Sequence, residues 1–272
     1  MAVKLIAIDL DDTLLNDNLE ISAKNKETIL KAVEKGIIVT IATGRMFRAT
    51  LPFARQLNLD VPLIVYNGGL VKKSLSGEII VHRPIPSNSL RKIYDLAKKH
   101  NWYIQTYIDD YLYVKEATEY TAFYCRLANV SARVIGNKIF DTSRLPTKIM
   151  IQDEESKING IIDELNLIFN NKGSSLDEVS ITTSKPTYVE ITAQGVNKGA
   201  ALSMLAESLA ISCENIMVIG DSKNDVSMLK LANYSVVVEN GCAEAKEVAK
   251  IMTKSNNDSG VAAAIEKYAI GG

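Results

Sequence analysis

The chain has 272 residues, 47% of them hydrophobic and 23% charged, with a formal net charge of -1. That length bounds one large domain or two smaller ones, and the near-neutral charge excludes the basic footprint of a nucleic-acid binder. No uninterrupted apolar run approaches a bilayer span, and Met1-Ala2-Val3-Lys4 lacks a signal-peptide pattern, so a cytoplasmic protein with no membrane partner is expected.

In chain order, the first apolar run, Leu5-Ile6-Ala7-Ile8, reads as a buried strand and breaks into Asp9, Asp11 and Asp12 where the strand should end. So much like charge in a small space needs open solvent or a bound cation, and a hard divalent ion with oxygen ligands, Mg²⁺ above all, answers that need. A helix opened by Ser22 and closed at Lys35-Gly36 leads to a second β-branched run over 37–42, completing a βαβ unit that ends in Thr43-Gly44-Arg45. A helical stretch to about Leu57, begun or interrupted by Pro52, precedes a strand over 63–66 and the turn Asn67-Gly68-Gly69.

From Leu70 the texture changes to hairpins. Strands over 70–71 and 78–81, a helix over 87–100, and a hairpin turning at Asp109-Asp110 are followed by a Tyr-rich helix over 117–128. A strand over 148–151, a helix over 154–169 and a strand near 179–183 follow, so that 84–186 reads as α+β with antiparallel pairing, and a further strand near 188–192 comes after it. The parallel pattern resumes at Asn197-Lys198-Gly199 with a helix to Ala210, then a strand over 216–219 ending in Gly220-Asp221-Ser222-Lys223-Asn224-Asp225. A strand over 234–238 and helices over 243–249 and 260–268 close the chain. The expected fold is thus α/β, a Rossmann-like parallel-sheet core built from 1–83 and 187–272, with an α+β domain inserted over 84–186.

Cys125, Cys213 and Cys242 fit neither a disulfide framework nor a zinc site, and only His82 and His100 are available for imidazole chemistry. An enzyme built from this chain would draw its acid, base and nucleophile from carboxylates, hydroxyls or lysines. Asp9, Thr43 and Asp221 each follow a strand of one expected sheet, and ligands of open parallel sheets bind beyond those carboxyl ends. Lys198 stands at a helix start, where the dipole disfavours a cation. Singly, Thr43 reads as a helix cap, Lys198 as a solvated charge and Asn224-Asp225 as another cap; together, these readings need four coincidences.

Asp9-Leu10-Asp11-Asp12-Thr13, Thr43-Gly44-Arg45, Lys198 and Gly220-Asp221-Ser222-Lys223-Asn224-Asp225 resemble, in order, the four motifs of the haloacid dehalogenase superfamily. Asn67-Gly68-Gly69, the insertion and Ser259-Gly260-Val261 resemble its Cof-type phosphatases with a type IIB cap. The resemblance implies a Mg²⁺-dependent phosphatase of small phosphate monoesters, such as sugar phosphates, with the insertion as cap. It makes Asp9 the nucleophile that becomes an aspartyl-phosphate and Asp11 the general acid and base. The Asp9 side chain, the Asp11 backbone carbonyl and Asp221 would hold the ion. Thr43 and the Gly44 N–H would hold phosphoryl oxygens, with Lys198 neutralising charge, while Asn224 and Asp225 would orient the ion's ligands and Lys198.

Arg45 could reach substrate or pair with Asp12 or another acid. Asp12 stands where many members have Gly. Tyr107, Tyr111, Tyr113 and Trp102 could offer a stacking platform, though aromatic strand residues are more often core or cross-strand pairs. Two competing readings keep the same pocket: a phosphomutase, and a non-catalytic module that binds a phosphorylated metabolite. A monomer and a homodimer are both open.

Overall fold

β1 (Leu5–Asp9) is buried along its whole length, and its last residue is an aspartate with 4% of its surface exposed. The computed structural model describes residues 2–57, 60–169, 179–183 and 185–271. After β1 the chain makes one wide turn, Leu10–Leu14, in which Asp12 takes left-handed angles (φ 56°, ψ 8°). This is why glycine suits the position, and aspartate is among the few other residues that tolerate it.

The Ser22 side chain accepts from Asn25 N–H to cap α1 (Ala23–Glu34), which leads to β2 (Ile38–Ala42). α2 (Phe47–Gln56) carries Pro52 within it rather than starting there. β3 (Pro62–Val65), β4 (Leu70–Lys73) and β5 (Ile79–His82) follow. The middle of the chain runs α3 (Ser87–His100), β6 (Ile104–Ile108), β7 (Tyr111–Val114), α4 (Glu119–Ala128), β8 (Ala132–Val134), β9 (Lys148–Gln152), α5 (Glu155–Phe169), β10 (Val179–Thr182) and β11 (Tyr188–Ala193). The last part comprises α6 (Lys198–Ser208), β12 (Ile216–Gly220), α7 (Val226–Leu231), β13 (Tyr234–Val237), α8 (Ala243–Val248), β14 (Ile251–Met252) and α9 (Gly260–Ile265).

Contacts divide the chain into two compact units, one of Met1–Val81 with Asn197–Gly272 and one of His82–Val196. The first is built on an eight-stranded sheet ordered β14-β13-β12-β1-β2-β3-β4-β5. The pairings on both sides of β1 are parallel, and β3 with β4 is antiparallel. The chain winds outward from β1 through β2 and β3 and returns on the other side through β12. β1 is therefore the switch point, where loops leave in opposite directions and open a crevice. Leu5 and Ala7 of β1, with Ile216 and Val218 of β12, pack against Leu202 and Leu205 of α6 and Met228 of α7.

The second unit holds a six-stranded sheet ordered β10-β11-β9-β6-β7-β8, antiparallel except between β7 and β8. Asp109 and Asp110 both take positive φ (49° and 60°), the two-residue turn whose twist matches a hairpin. Ile149, Ile151, Val189 and Ile191 pack with Ile93 and Leu96 of α3 and Ile158 and Ile161 of α5. Lys148 and Glu190 form a buried ion pair at 2.9 Å.

One domain boundary is corrected. The return to the first unit comes at Asn197, not at 187, because β11 pairs with β9 and β10 and so stays in the second sheet. The four aromatics do not share one face, in keeping with the reading of aromatic strand residues as core or cross-strand pairs: Tyr107 pairs with Leu112 and so lies opposite Tyr111 and Tyr113, while Trp102 stacks on His100 at 5.2 Å. β8, α7 and β14 are not expected from the sequence; the two strands, of three and two residues, are too short to display a period. Among the described residues no helix is long and apolar enough to cross a membrane.

Candidate active site

Strand register brings the polar clusters to one edge. Asp9 lies level with Ala42 of β2, and Ala42 with Ile64 of β3. On the other side Ile8 lies level with Ile219, which puts Gly220 beside Asp9. Thr43 and Asp221 are the residues just beyond.

Lys198 is the first residue of α6 and is fully buried. Its Nζ donates to Asp9 Oδ1 at 2.5 Å and to Asp225 Oδ1 at 2.7 Å. An ammonium at a helix N-terminus is disfavoured unless acids surround it, and here two do. Asp225 is also fully buried, and its Oδ2 accepts from Asp221 N–H (3.0 Å), Ser222 N–H (2.9 Å) and Ser222 Oγ (3.2 Å). Gly220 makes this possible, since a Cβ there would lie 2.8 Å from the Asp225 side chain. Thr13 Oγ1 donates to Asp221 Oδ1 at 3.0 Å.

Ligand atoms of Asp9, Asp221 and Asp225 lie within 4.8 Å of one another. Burial first, and then the charge of Asp225, push the Asp9 carboxyl well above the usual range against the pull of Lys198. The same two causes bring Asp221 to about 6. Burial would lower Lys198, but Asp9 and Asp225 outweigh it and hold the ammonium above its ordinary value. Three carboxylates face one cation, and the uncompensated negative charge fits a hard divalent ion held by oxygen. Both Asp225 oxygens are engaged, by Lys198 and by the Asp221 and Ser222 donors, which makes Asp9 and Asp221 the better ligands.

Thr43 is 1% exposed and does not cap α2, whose first turn is preceded by Met46. Its hydroxyl instead accepts from Arg45 N–H at 3.2 Å. Arg45 pairs with Asp11, not Asp12: Nε donates to Asp11 Oδ2 at 2.9 Å and Nη2 to Oδ1 at 2.5 Å, a forked pair. The Asp11 carboxylate thus turns to Arg45 and does not join the acidic cluster. Asn224 is exposed; its Oδ1 accepts from Ser222 Oγ and its Nδ2 donates to Asn67 Oδ1 at 3.2 Å. Sequence reasoning missed Thr13, Ser222 and Asn67 as site neighbours. All three stand inside quoted motifs, and that position was the available signal.

A profile of the haloacid dehalogenase-like hydrolases matches residues 6–265. The 5-amino-6-(5-phospho-D-ribitylamino)uracil phosphatase YcsE of Bacillus subtilis is 34% identical over 98% of this chain and 96% of its own. The crystal structure of TM0651 from Thermotoga maritima, 34% identical, superposes with a TM-score of 0.89 over 97% of both chains. BT4131, a subclass IIB sugar phosphatase, shares the fold at a TM-score of 0.78 and 18% identity, over 98% of each chain. The chain belongs to the haloacid dehalogenase-like hydrolases, in their Cof-type phosphatase branch. It is an enzyme, a phosphoric monoester hydrolase with an acidic cluster suited to a metal ion.

Proposed function

We propose that this hydrolase is a Mg²⁺-dependent phosphatase of small phosphate monoesters, sugar phosphates or related metabolites, working through an aspartyl-phosphate on Asp9. The observation that carries the reading is the buried contact of Lys198 with Asp9, beside Asp221, at the end of the central strand. An Asp9 oxygen attacks phosphorus while the bond to the ester oxygen breaks, and Asp11 supplies the proton the leaving oxygen takes. Asp11, now a carboxylate, takes a proton from water, whose oxygen attacks phosphorus and frees inorganic phosphate and Asp9.

Thr43 and the Gly44 N–H hold phosphoryl oxygens, and Lys198 balances the charge that builds on them and on Asp9. Asp9, the Asp11 backbone carbonyl and Asp221 would hold Mg²⁺, which when bound cancels repulsion between nucleophile and phosphate. Asn224 and Asp225 orient this set, Asp225 through its bond to Lys198. The forked pair with Arg45 occupies the Asp11 carboxylate, so its proton transfer requires that Arg45 release an oxygen. The second unit is the cap that selects the substrate. The ribityl phosphate in the name of YcsE supports a sugar or sugar-alcohol phosphate as the substrate class.

The test is a phosphate-release screen over sugar phosphates, nucleotides, pyridoxal phosphate and ribityl phosphates, with and without Mg²⁺. Turnover is expected only with the ion, and Asp9→Asn should remove it. Undiminished turnover by Asp9→Asn would exclude Asp9 as nucleophile.

A further inference from the structure

The turn Tyr66-Asn67-Gly68 takes no part in the chemistry above, yet its backbone is tightly specified. Three successive residues adopt left-handed angles, with φ of 54°, 55° and 102°. For buried Tyr66 this sets Cβ against the following carbonyl, and such a conformation persists only where the surroundings over-determine it.

Three site segments surround the turn. Tyr66 N–H donates to Arg45 O at 2.9 Å and Asn67 N–H to Thr43 O at 3.0 Å, so the turn is pinned to the Thr43-Gly44-Arg45 loop. At Gly68 a Cβ would lie 2.5 Å from Asn197 O and 2.9 Å from Ala201 Cβ, which seats the turn on the first turn of α6, where Lys198 stands. The third contact is made by a side chain. Asn67 Oδ1 accepts from Asn224 Nδ2 at 3.2 Å. The same carboxamide lies over Gly44, whose Cβ, if present, would be 3.0 Å from Oδ1 and 3.3 Å from Nδ2.

Glycine at position 67 would satisfy the left-handed backbone with less strain, so what asparagine adds is the carboxamide. We infer that Asn67 is a positioning residue whose side chain bridges the Thr43-Gly44 loop and Asn224, fixing the spacing across which the phosphoryl group sits. The inference rests on the proposed phosphate-holding role of Thr43 and Gly44. It goes further in assigning a spacer that acts on phosphate affinity more than on the fold.

Wild-type turnover of p-nitrophenyl phosphate with Mg²⁺ tests the phosphatase reading; the variants then test the bridge. Asn67→Gly keeps the turn and removes one neutral hydrogen bond. It should raise both KM and the inhibition constant of inorganic phosphate by roughly fivefold to tenfold, with kcat less affected and the thermal midpoint retained. Asn224→Ala should behave alike, and the double variant should be no worse than the more impaired single variant. Gly44→Ala places a methyl against the carboxamide, so it should impair the wild-type background and add little to Asn67→Gly. Unchanged KM and phosphate inhibition in Asn67→Gly, or additive effects in the double variant, would overturn the bridge. If Asn67→Gly does not fold, Asn224→Ala and Gly44→Ala decide by the same phosphate-inhibition criterion.

Discussion

Replacing Lys198 with methionine tests whether the ammonium holds the acidic cluster together as well as serving the chemistry. Methionine keeps most of the side-chain length and removes the charge. Lys198 is fully buried and bonded to both Asp9 and Asp225, with Asp221 in the same cluster, so the variant leaves carboxylates facing one another without their cation. Breaking a buried ion pair from one side costs about 3–5 kcal/mol. At about 2–4 °C per kcal/mol for a chain of this size, the midpoint should fall by roughly 6–20 °C.

The loss must depend on pH in one direction. Lys198 lowers the Asp9 pKa, so its removal raises further a carboxyl that burial already holds high. A carboxyl whose folded pKa exceeds its unfolded value costs stability above the folded pKa, and the cost vanishes once both states are protonated. Metal-free urea melts followed by circular dichroism at about pH 5 and about pH 8 should therefore show a deficit that is larger at the higher pH. Saturating Mg²⁺ should recover part of it by supplying positive charge. Coincident melts at the higher pH, or a deficit that grows on acidification, would refute the argument.

Three further outcomes follow from the same geometry. If Asp9 and Asp221 hold the ion, protons compete with it for carboxyls whose pKa values burial and Asp225 raise, Asp221 to about 6. The Mg²⁺-induced rise in thermal midpoint should accordingly grow as pH climbs through that region and then level off; an equal rise on both sides would contradict the cluster's electrostatics. Burial, and then Asp11 and Asp17, raise the Asp12 pKa, so its charge costs stability that is recovered in acid. Asp12→Asn, which tolerates the same left-handed backbone, should be at least as stable as wild type in neutral urea melts, the gap closing in acid; lower stability at neutral pH would reject this. Gly220→Ala sets a methyl 2.8 Å from the buried Asp225 side chain, so about 1–3 kcal/mol of stability and most turnover should be lost. A full midpoint with full phosphate release would show that Asp225 yields.

Much of the fold and of the site is legible in the sequence, for identifiable reasons. β1, β2, β3 and β12 announce themselves as apolar β-branched runs, and the polar residue after each is marked by where the run stops. Lys198 was legible through its misplacement, since a cation at a helix start asks for acids nearby. What could not be read were pairings across long stretches of chain. Whether Arg45 reaches substrate, Asp12 or another acid is not encoded in any periodicity; the structure pairs it with Asp11, 34 residues away in sequence. Thr13 bonds to Asp221, and Asn67 to Asn224, only because β1, β3 and β12 end at the same edge. The end of the insertion was misjudged because the β11 run suits either sheet; its pairing with β9 decides.

The most direct measurement concerns the covalent intermediate. Asp11→Asn should still let Asp9 attack an aryl phosphate, whose leaving oxygen needs little help from an acid, but leave no base to activate water. Rapid quench and mass spectrometry of the peptide carrying Asp9 should then find a phosphoryl adduct that forms with Mg²⁺ and disappears in Asp9→Asn/Asp11→Asn. Phosphate release by Asp11→Asn at the wild-type rate with no adduct, or an adduct on another residue, would contradict the account.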